Sequence, residues 1–165
     1  MPQRIISAPD DLVLRPAEAA DLAAIRRLHG FSFATLASDQ HSPAQIAAHN
    51  RLTETPEYEL DVLRSHLMLA LSAEAEIVAT AGWIEVPEEP GTARIRKVFV
   101  HPGWARRAFI AGYPRMVVRA NRNAVPLYRK LGYEPIRDGV MTAPGGIDLP
   151  VVFMIKADTG AAPRR

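Results

Sequence analysis

The sequence predicts a mixed α/β domain, with a mostly antiparallel sheet and helices on both of its faces. Two observations carry this prediction. Between residues 66 and 100, three strand-like segments are joined by short polar turns, as in an antiparallel meander. Near residues 124–131, apolar side chains instead recur at helical spacing in a short segment that ends at a glycine. With 165 residues, the chain is expected to form one domain over 1–157, followed by a disordered tail over 158–165.

The N-terminal part is predicted to contain one strand followed by helices. Leu12–Arg15 is typical of a strand, and residues 17–28 show the apolar periodicity of a helix. Gly30 is expected to interrupt or end that helix. A second helix is predicted to begin at Ser42–Pro43, because serine caps helices well and proline is favoured in the first turn. A further short helical piece is expected around residues 58–65.

The predicted sheet is built mainly from the middle of the chain. His66–Leu71 and Glu76–Glu85 are typical of a hairpin, and Thr92–Val100 is predicted to be the third strand of the meander. Met116–Arg119 is a further strand. Val151–Ile155 is almost continuously apolar, which is typical of a strand that is buried on both faces.

The segment between the last two of these strands predicts a short helix with clear ends. Asn123 suits the N-cap, and Pro126 falls in the first turn, where a missing N–H costs little. Gly132 is expected to end the helix in the left-handed conformation, with Tyr133 packed back on the last turn. The apolar stripe of this helix consists of Ala124, Leu127, Tyr128 and Leu131.

Composition limits the class of protein. The chain has no cysteine, which excludes disulfides, thiolate nucleophiles and cysteine metal sites. No apolar run approaches the ~20 residues that a membrane helix needs, and the N-terminus lacks the pattern of a signal peptide. The histidines show no metal-ligand spacing. A cytoplasmic protein without a metal site or a membrane segment is therefore expected.

Positive charge is concentrated in one stretch. Residues 94–137 contain eleven lysines and arginines and a single acidic residue, Glu134. A solvated basic face and an anion-binding site both explain this pattern. A nucleic-acid-binding protein is a third class, but these basic residues alternate with strand and core positions and do not gather on one recognition helix.

Two motifs in this stretch carry a family resemblance. The first is Asn-x-x-Ala-x-x-Leu-Tyr-x-x-Leu-Gly-Tyr from Asn121 to Tyr133, and the second is Ala-Arg-Ile-Arg-Lys-Val-Phe-Val-His-Pro-Gly-Trp-Ala-Arg-Arg from Ala93 to Arg107. In this order they resemble the GNAT superfamily of N-acetyltransferases. The resemblance implies an acyltransferase that moves an acetyl group from acetyl-CoA to an amine of a small molecule or protein, by direct attack on the thioester.

The resemblance also implies which residues hold acetyl-CoA. Three would act through main-chain atoms on the central strand, two would begin the phosphate loop, and one would bond the pantetheine arm. In that order these are Val98, Phe99, Val100, Arg106, Arg107 and Asn121. The strand residues could equally be core only, and Asn121 could equally be a turn residue. The glycines that normally complete the phosphate loop are absent after Arg107.

Catalytic roles follow from the same resemblance. Tyr128 matches the usual general acid, and its ordinary pKa of about 10 suits a group that must stay protonated at neutral pH. The alternative is that Tyr128 only completes the apolar stripe of its helix. Glu85 is the nearest sequence candidate for a general base, although a water molecule could take that role.

Two functions remain open at this point. The first is the acetyltransferase, acting on a small-molecule or peptide amine without nucleic acid or membrane, with a homodimer left open. The alternative is a degenerate domain of the same fold that serves as a ligand-binding or interaction module without catalysis. The missing glycines favour the alternative, whereas Asn121 and Tyr128 favour the enzyme.

The connection after Val100 is unexpectedly short. In the resembled fold a crossover helix joins this strand to a parallel neighbour, and such a crossover usually needs a dozen or more residues. Only positions 101–114 are available, and at most eight of them, spanning ~12 Å, could be helical. We therefore predict that residues are missing between Arg107 and Ala108 and that the consecutive numbering does not include them.

Overall fold

The computed structural model describes residues 12–101 and 115–157. They form one seven-stranded sheet with the strand order β1-β2-β3-β4-β5-β7-β6. The strands are β1 (Val13–Pro16), β2 (Met68–Leu71), β3 (Ile77–Glu85), β4 (Thr92–Val100), β5 (Arg115–Asn121), β6 (Glu134–Ala143) and β7 (Ile147–Ala157). The helices are α1 (Leu22–Leu36), α2 (Pro43–Thr53), α3 (Pro56–Arg64) and α4 (Val125–Lys130). Among the described strands only β4 and β5 pair in parallel, so the predicted mixed, mostly antiparallel sheet is confirmed.

Helices cover both faces of this sheet, as predicted. On one face, α1 and α3 bury Ile25, Tyr58 and Val62 against Leu69 and Leu71 of β2. On the other face, α4 packs against alternate residues of β5. That second cluster contains Met116, Val118, Ala120, Tyr128, Tyr133 and Met154. The intervening residues of β5 therefore point to the face that carries α1 to α3.

Gly30 does not end the first helix, which corrects the prediction. A short 3-10 turn at Ala19–Asp21 leads into α1, which runs through Gly30 to Leu36. Glycine costs a helix only about 1 kcal/mol relative to alanine, and the burial of His29 and Phe33 on either side outweighs this cost. A Cβ atom at Gly30 would lie 3.3 Å from Oδ1 of Asn50, so the glycine also lets α2 pack closely against α1.

The predicted helix ends are partly confirmed. Ser42 caps α2 and forms a capping box with Gln45. The helix after β5 begins later than predicted, because Arg122–Ala124 forms a 3-10 turn and Asn123 does not cap α4. Its C-terminal end is as predicted: Gly132 has φ +85°, and the Tyr133 N–H donates to the Tyr128 carbonyl at 3.0 Å.

Strand β6 is not predicted from the sequence. It lies at the edge of the sheet and most of its residues are exposed, so its sequence carries no strong apolar pattern. Pro135 is tolerated there because an edge strand has one side without ladder bonds, and the register shifts between Pro135 and Arg137.

The expected gap at Arg107 and Ala108 lies outside the described residues, as does the predicted tail. The expected gap therefore stays a prediction.

Within the described ranges, no helix has both the length and the apolar character needed to cross a bilayer.

Candidate active site

The two central strands separate halfway along their length. β4 and β5 are paired from Thr92 opposite Arg115 to Ile95 opposite Val118, and no pairing follows. Beyond that point residues 96–100 of β4 have no strand on their β5 side within the described chain. A row of main-chain groups in the middle of the sheet is therefore left without ladder bonds, which is unusual for a central strand.

The direction of these free groups follows from the bonds on the other side of β4. The His101 N–H donates to the Val78 carbonyl of β3 at 2.7 Å. Because main-chain groups alternate along a strand, Val100 and Val98 turn theirs toward the gap, and Phe99 turns its own toward β3. The Ser32 hydroxyl of α1 donates to the Val100 carbonyl at 2.8 Å, which leaves that oxygen one further lone pair.

A β-bulge lies where the two strands separate. The register between β3 and β4 shifts between Thr80 and Gly82, and Lys97 adopts φ +54°, which is uncommon for a residue other than glycine. The Thr80 hydroxyl donates to the Lys97 carbonyl at 2.6 Å and holds this conformation. As a result the consecutive side chains of Arg96 and Lys97 reach the same carboxylate, Asp61 of α3.

A cleft of about 410 Å³ opens at this bulge, on the face that carries α1 to α3. Its walls come from α2, α3 and four strands, so the tertiary fold assembles it from distant parts of the chain. Its charged lining residues are Glu57, Asp61, Arg94, Arg96, Lys97 and Arg119. Four positive charges thus face two negative ones, and a small anionic or amphoteric molecule would match this lining.

Lys97 is a buried cation with a carboxylate and an aromatic ring beside it. Its side chain is 10% exposed, and Nζ lies 3.5 Å from the centroid of the Tyr58 ring and 3.4 Å from Oδ2 of Asp61. Burial lowers the pKa of Lys97 to about 8, against the opposing effect of Asp61. Arg96 bonds the same carboxylate, with 2.9 Å between Nη1 and Oδ1.

A buried histidine of α1, His29, contacts the residues around the bulge. His29 is fully buried, and its ring stacks on Phe99 with 4.0 Å between the centroids. Its Nε2 lies 2.8 Å from Oγ1 of Thr80, and its Nδ1 hydrogen-bonds the Tyr58 hydroxyl. Because Thr80 already donates its only hydroxyl proton to Lys97, His29 must donate from Nε2. If the ring is neutral, Nδ1 then accepts from the Tyr58 hydroxyl. Burial favours this neutral form, because it holds the pKa of His29 well below its ordinary value.

The structure brings some of the predicted site residues together. Phe99 and Asn121 line the cleft, and Val98 and Val100 border the gap between β4 and β5. Arg106 and Arg107 lie outside the described residues, so their predicted role at the phosphates stays a prediction.

Glu85 is not brought into this group. It is exposed at the end of β3, opposite Ala93, and does not line the cleft. The site end of the same strand is Thr80, opposite Phe99, five residues or ~16 Å away. The suggestion that Glu85 is the general base is therefore withdrawn.

Tyr128 lies on the other face of the sheet. It is 6% exposed within the α4 cluster, and its ring contacts that of Tyr133 edge-on, at 5.3 Å between centroids. Burial raises the pKa of Tyr128 above its ordinary value, so the hydroxyl is protonated at neutral pH. No residue within 12–101 or 115–157 hydrogen-bonds this hydroxyl.

Sequence reasoning missed the residues around the bulge, above all Asp61, Tyr58 and His29. One signal for them was present: two consecutive cations, Arg96 and Lys97, within a predicted central strand. Buried charge requires a partner, so this pair predicted a carboxylate on a facing helix. Which carboxylate it was depended on how α3 packs.

We expect the variant Asp61→Asn to lower the pKa of Lys97 below about 8, because it removes the nearest opposite charge. The free energy of unfolding should fall by only roughly 1 kcal/mol, because the Asp61 carboxylate is partly exposed and solvent weakens its ion pairs. An NMR titration of the Lys97 side chain measures the first effect, and urea unfolding measures the second. Glu59→Gln, which removes a carboxylate paired with Arg26 instead, should leave the pKa of Lys97 unchanged. Equal titration curves for the wild type and Asp61→Asn would contradict this assignment.

Solved structures of GNAT N-acetyltransferases share the fold of this chain. A GCN5-related N-acetyltransferase from Rhodopseudomonas palustris matches with a TM-score of 0.73 and 19% identity, over 93% of this chain and 98% of that one. The PaiA N-acetyltransferase from Thermoplasma acidophilum, solved with coenzyme A, matches with a TM-score of 0.66 and 12% identity, over 89% and 99%. Spermidine N-acetyltransferase from Vibrio cholerae, solved with CoA and spermine, matches at 0.56 and 17%, over 90% and 96%.

No family model matches this sequence, and no curated protein matches it either. At the identities of these solved structures the likeness establishes the fold, which the chain shares over nearly its whole length.

Proposed function

We propose that this protein is an N-acetyltransferase that moves the acetyl group of acetyl-CoA to a primary amine by direct attack on the thioester. The observation that carries the proposal is the gap between β4 and β5, which leads into the cleft on the α1–α3 face. A gap in a sheet with free main-chain groups accepts an extended, amide-containing chain as an additional strand.

The residues at the gap fit the pantetheine arm of acetyl-CoA. Val98 and Val100 offer main-chain groups on that side, and Asn121 offers a side-chain amide from the end of β5. We assign the arm to these three residues, and the phosphates to the chain beyond His101, where Arg106 and Arg107 remain proposed contacts. Acetyl transfer also requires an acceptor amine that has lost its proton.

The cleft itself promotes that loss. Like charges disfavour the charged form of a bound amine. The four cations of the lining outnumber its two carboxylates, Glu57 and Asp61, so its net charge lowers the pKa of an acceptor ammonium group, whereas a carboxylate next to the amine acts in the opposite direction. Its proton can then pass to water. The neutral nitrogen attacks the thioester carbon, the C–S bond breaks, and the departing sulfur takes a proton, for which Tyr128 on the α4 side of the sheet is the proposed donor. The second proton that the nitrogen loses on becoming an amide returns through water to Tyr128.

Calorimetry and a transfer assay with purified protein test this proposal. Acetyl-CoA at 100-fold excess over its Kd should raise Tm by roughly 5–10 °C, whereas nucleic acid should not. Mass spectrometry of a panel of amines should reveal acetylated products. Absence of acetyl-CoA binding would overturn the proposal. Binding without transfer to any amine would favour the alternative of a non-catalytic ligand-binding domain.

A further inference from the structure

Two arginines in the cleft have no anionic partner among the described residues. Arg94 lies on β4, and Arg119 lies on β5 directly after the last residue of that strand that pairs with β4. Arg94 and Val117 lie opposite each other in the β4–β5 pair. Arg119 is two residues after Val117, so its side chain points to the same face of the sheet as that of Arg94. The ion pairs of the cleft instead join Arg96 and Lys97 to Asp61.

The arginines also repel one another. The pKa of Arg119, which is exposed on the face of the cleft, is lowered by partial desolvation and by the charges of Arg96 and Arg94, and Asp61 acts in the opposite direction. Asp61 is paired with Arg96 and Lys97, however, and forms no ion pair with Arg94 or Arg119. An anionic group placed between Arg94 and Arg119 would relieve this repulsion and form charge-assisted hydrogen bonds.

A second observation also indicates a polar ligand. His49 of α2 lines the same cleft and is 3% exposed. Its Nδ1 forms no hydrogen bond of normal geometry with the described residues, although the neighbouring Asn50 side chain is close enough to raise its pKa. Buried polar atoms are nearly always paired in folded proteins, so an unpaired one beside a cleft indicates a group that is supplied from outside the chain. His49 is neutral at pH 7, because burial lowers its pKa to about 4.

These arginines are badly placed for the phosphates of acetyl-CoA. Arg94 lies six residues before Val100, roughly 20 Å along the strand. The free main-chain groups of β4 begin after Ile95 and continue toward His101, so an arm bound to them leads away from Arg94. The anion at Arg94 and Arg119 must therefore belong to the acceptor.

Resting on the proposed acetyl transfer, we propose that the acceptor is a small amino carboxylate, such as an amino acid, whose carboxylate is bound by Arg94 and Arg119. A guanidinium group bonds a carboxylate through two parallel N–H donors, which gives both affinity and orientation. Glu57, in the same cleft and without an ion pair among the described residues, is a carboxylate for the ammonium end. The lining is thus complementary to a zwitterion and disfavours a polycation.

The test compares matched acceptors in the CoA-release assay. Methionine, glutamate and alanine are each measured against the corresponding carboxamide, with spermidine as a polycationic probe. We expect kcat/KM to be roughly 10- to 100-fold higher for the acid, as for hydrogen bonds to a charged group. Arg94→Gln and Arg119→Gln should remove most of this preference through KM, and the Kd of acetyl-CoA should stay within about twofold.

Arg64→Gln is the matched control, because Arg64 is exposed on α3 and does not line the cleft. It should retain the preference for the acid. Acetylation that favours carboxamides or spermidine would overturn this inference and leave the proposed transferase intact.

If the protein acetylates no acceptor in the panel, a binding measurement tests the inference instead. N-acetylmethionine and its carboxamide are titrated by calorimetry into wild type and Arg119→Gln. Tighter binding of the acid that is lost in the variant supports the inference. Equal binding of the acid and the carboxamide to the wild type overturns it. Failure to bind acetyl-CoA would overturn the transferase proposal by itself.

Discussion

Replacing Tyr128 with phenylalanine should lower kcat for acetyl transfer on the order of 10²-fold, the usual contribution of one acid–base group. The hydroxyl is the only group that this variant removes. Because burial keeps the hydroxyl protonated at neutral pH, it can donate to a departing thiolate. The ring remains in the α4 cluster, so the free energy of unfolding and the Kd of acetyl-CoA should change little.

Tyr133→Phe is the matched control for this variant. Tyr133 belongs to the same cluster, contacts the Tyr128 ring, and directs its own hydroxyl to the Met116 sulfur at 3.7 Å. Its loss should leave kcat nearly unchanged. If Tyr128→Phe turns over as fast as the wild type, Tyr128 is a core residue only, and another group must protonate the sulfur.

The second large effect concerns stability in acid. His29 and His49 are buried and neutral in the folded state, and burial is the main cause of their lowered pKa values. In the unfolded chain both take up a proton below about pH 6.5. The unfolded state then binds more protons than the folded state, so stability falls as the pH falls. His49, with a folded pKa of about 4, should cost roughly 3 kcal/mol between pH 6.5 and pH 4.

Urea unfolding at several pH values between 7.5 and 4.5 measures this loss. His49→Gln should partly flatten the pH dependence, because one of the three buried histidines, His29, His41 and His49, no longer takes up a proton on unfolding. Asp21, whose pKa is lowered mainly by its hydrogen bond to Arg15, acts in the same direction but mostly below this range. His66→Gln is the control, since His66 is exposed, and it should retain the wild-type slope. A variant His49→Gln with the full slope would contradict the assignment.

Most of the fold could be predicted from the sequence because the local signals agreed with the global structure. Ser42 and Pro43 mark a helix start that depends only on neighbouring residues, and Gly132 marks a helix end in the same way. The meander of β2, β3 and β4 follows from apolar strands separated by polar turns. The errors occurred where packing outweighed local preference, as at Gly30, or where an edge strand lacked an apolar face, as in β6.

The residues of the candidate site could likewise be predicted only in part. The central strand, with Val98 to Val100 at the gap, could be predicted from local pattern, and Asn121 and Tyr128 could be assigned from the resembled motif. The bulge at Lys97, which turns two consecutive cations toward Asp61, depends on tertiary packing. So does the fact that Arg94 and Arg119 have no paired carboxylate among the described residues. The reason is physical: a side chain's direction in a strand follows from local alternation, but its charge partner depends on which distant helix packs above it.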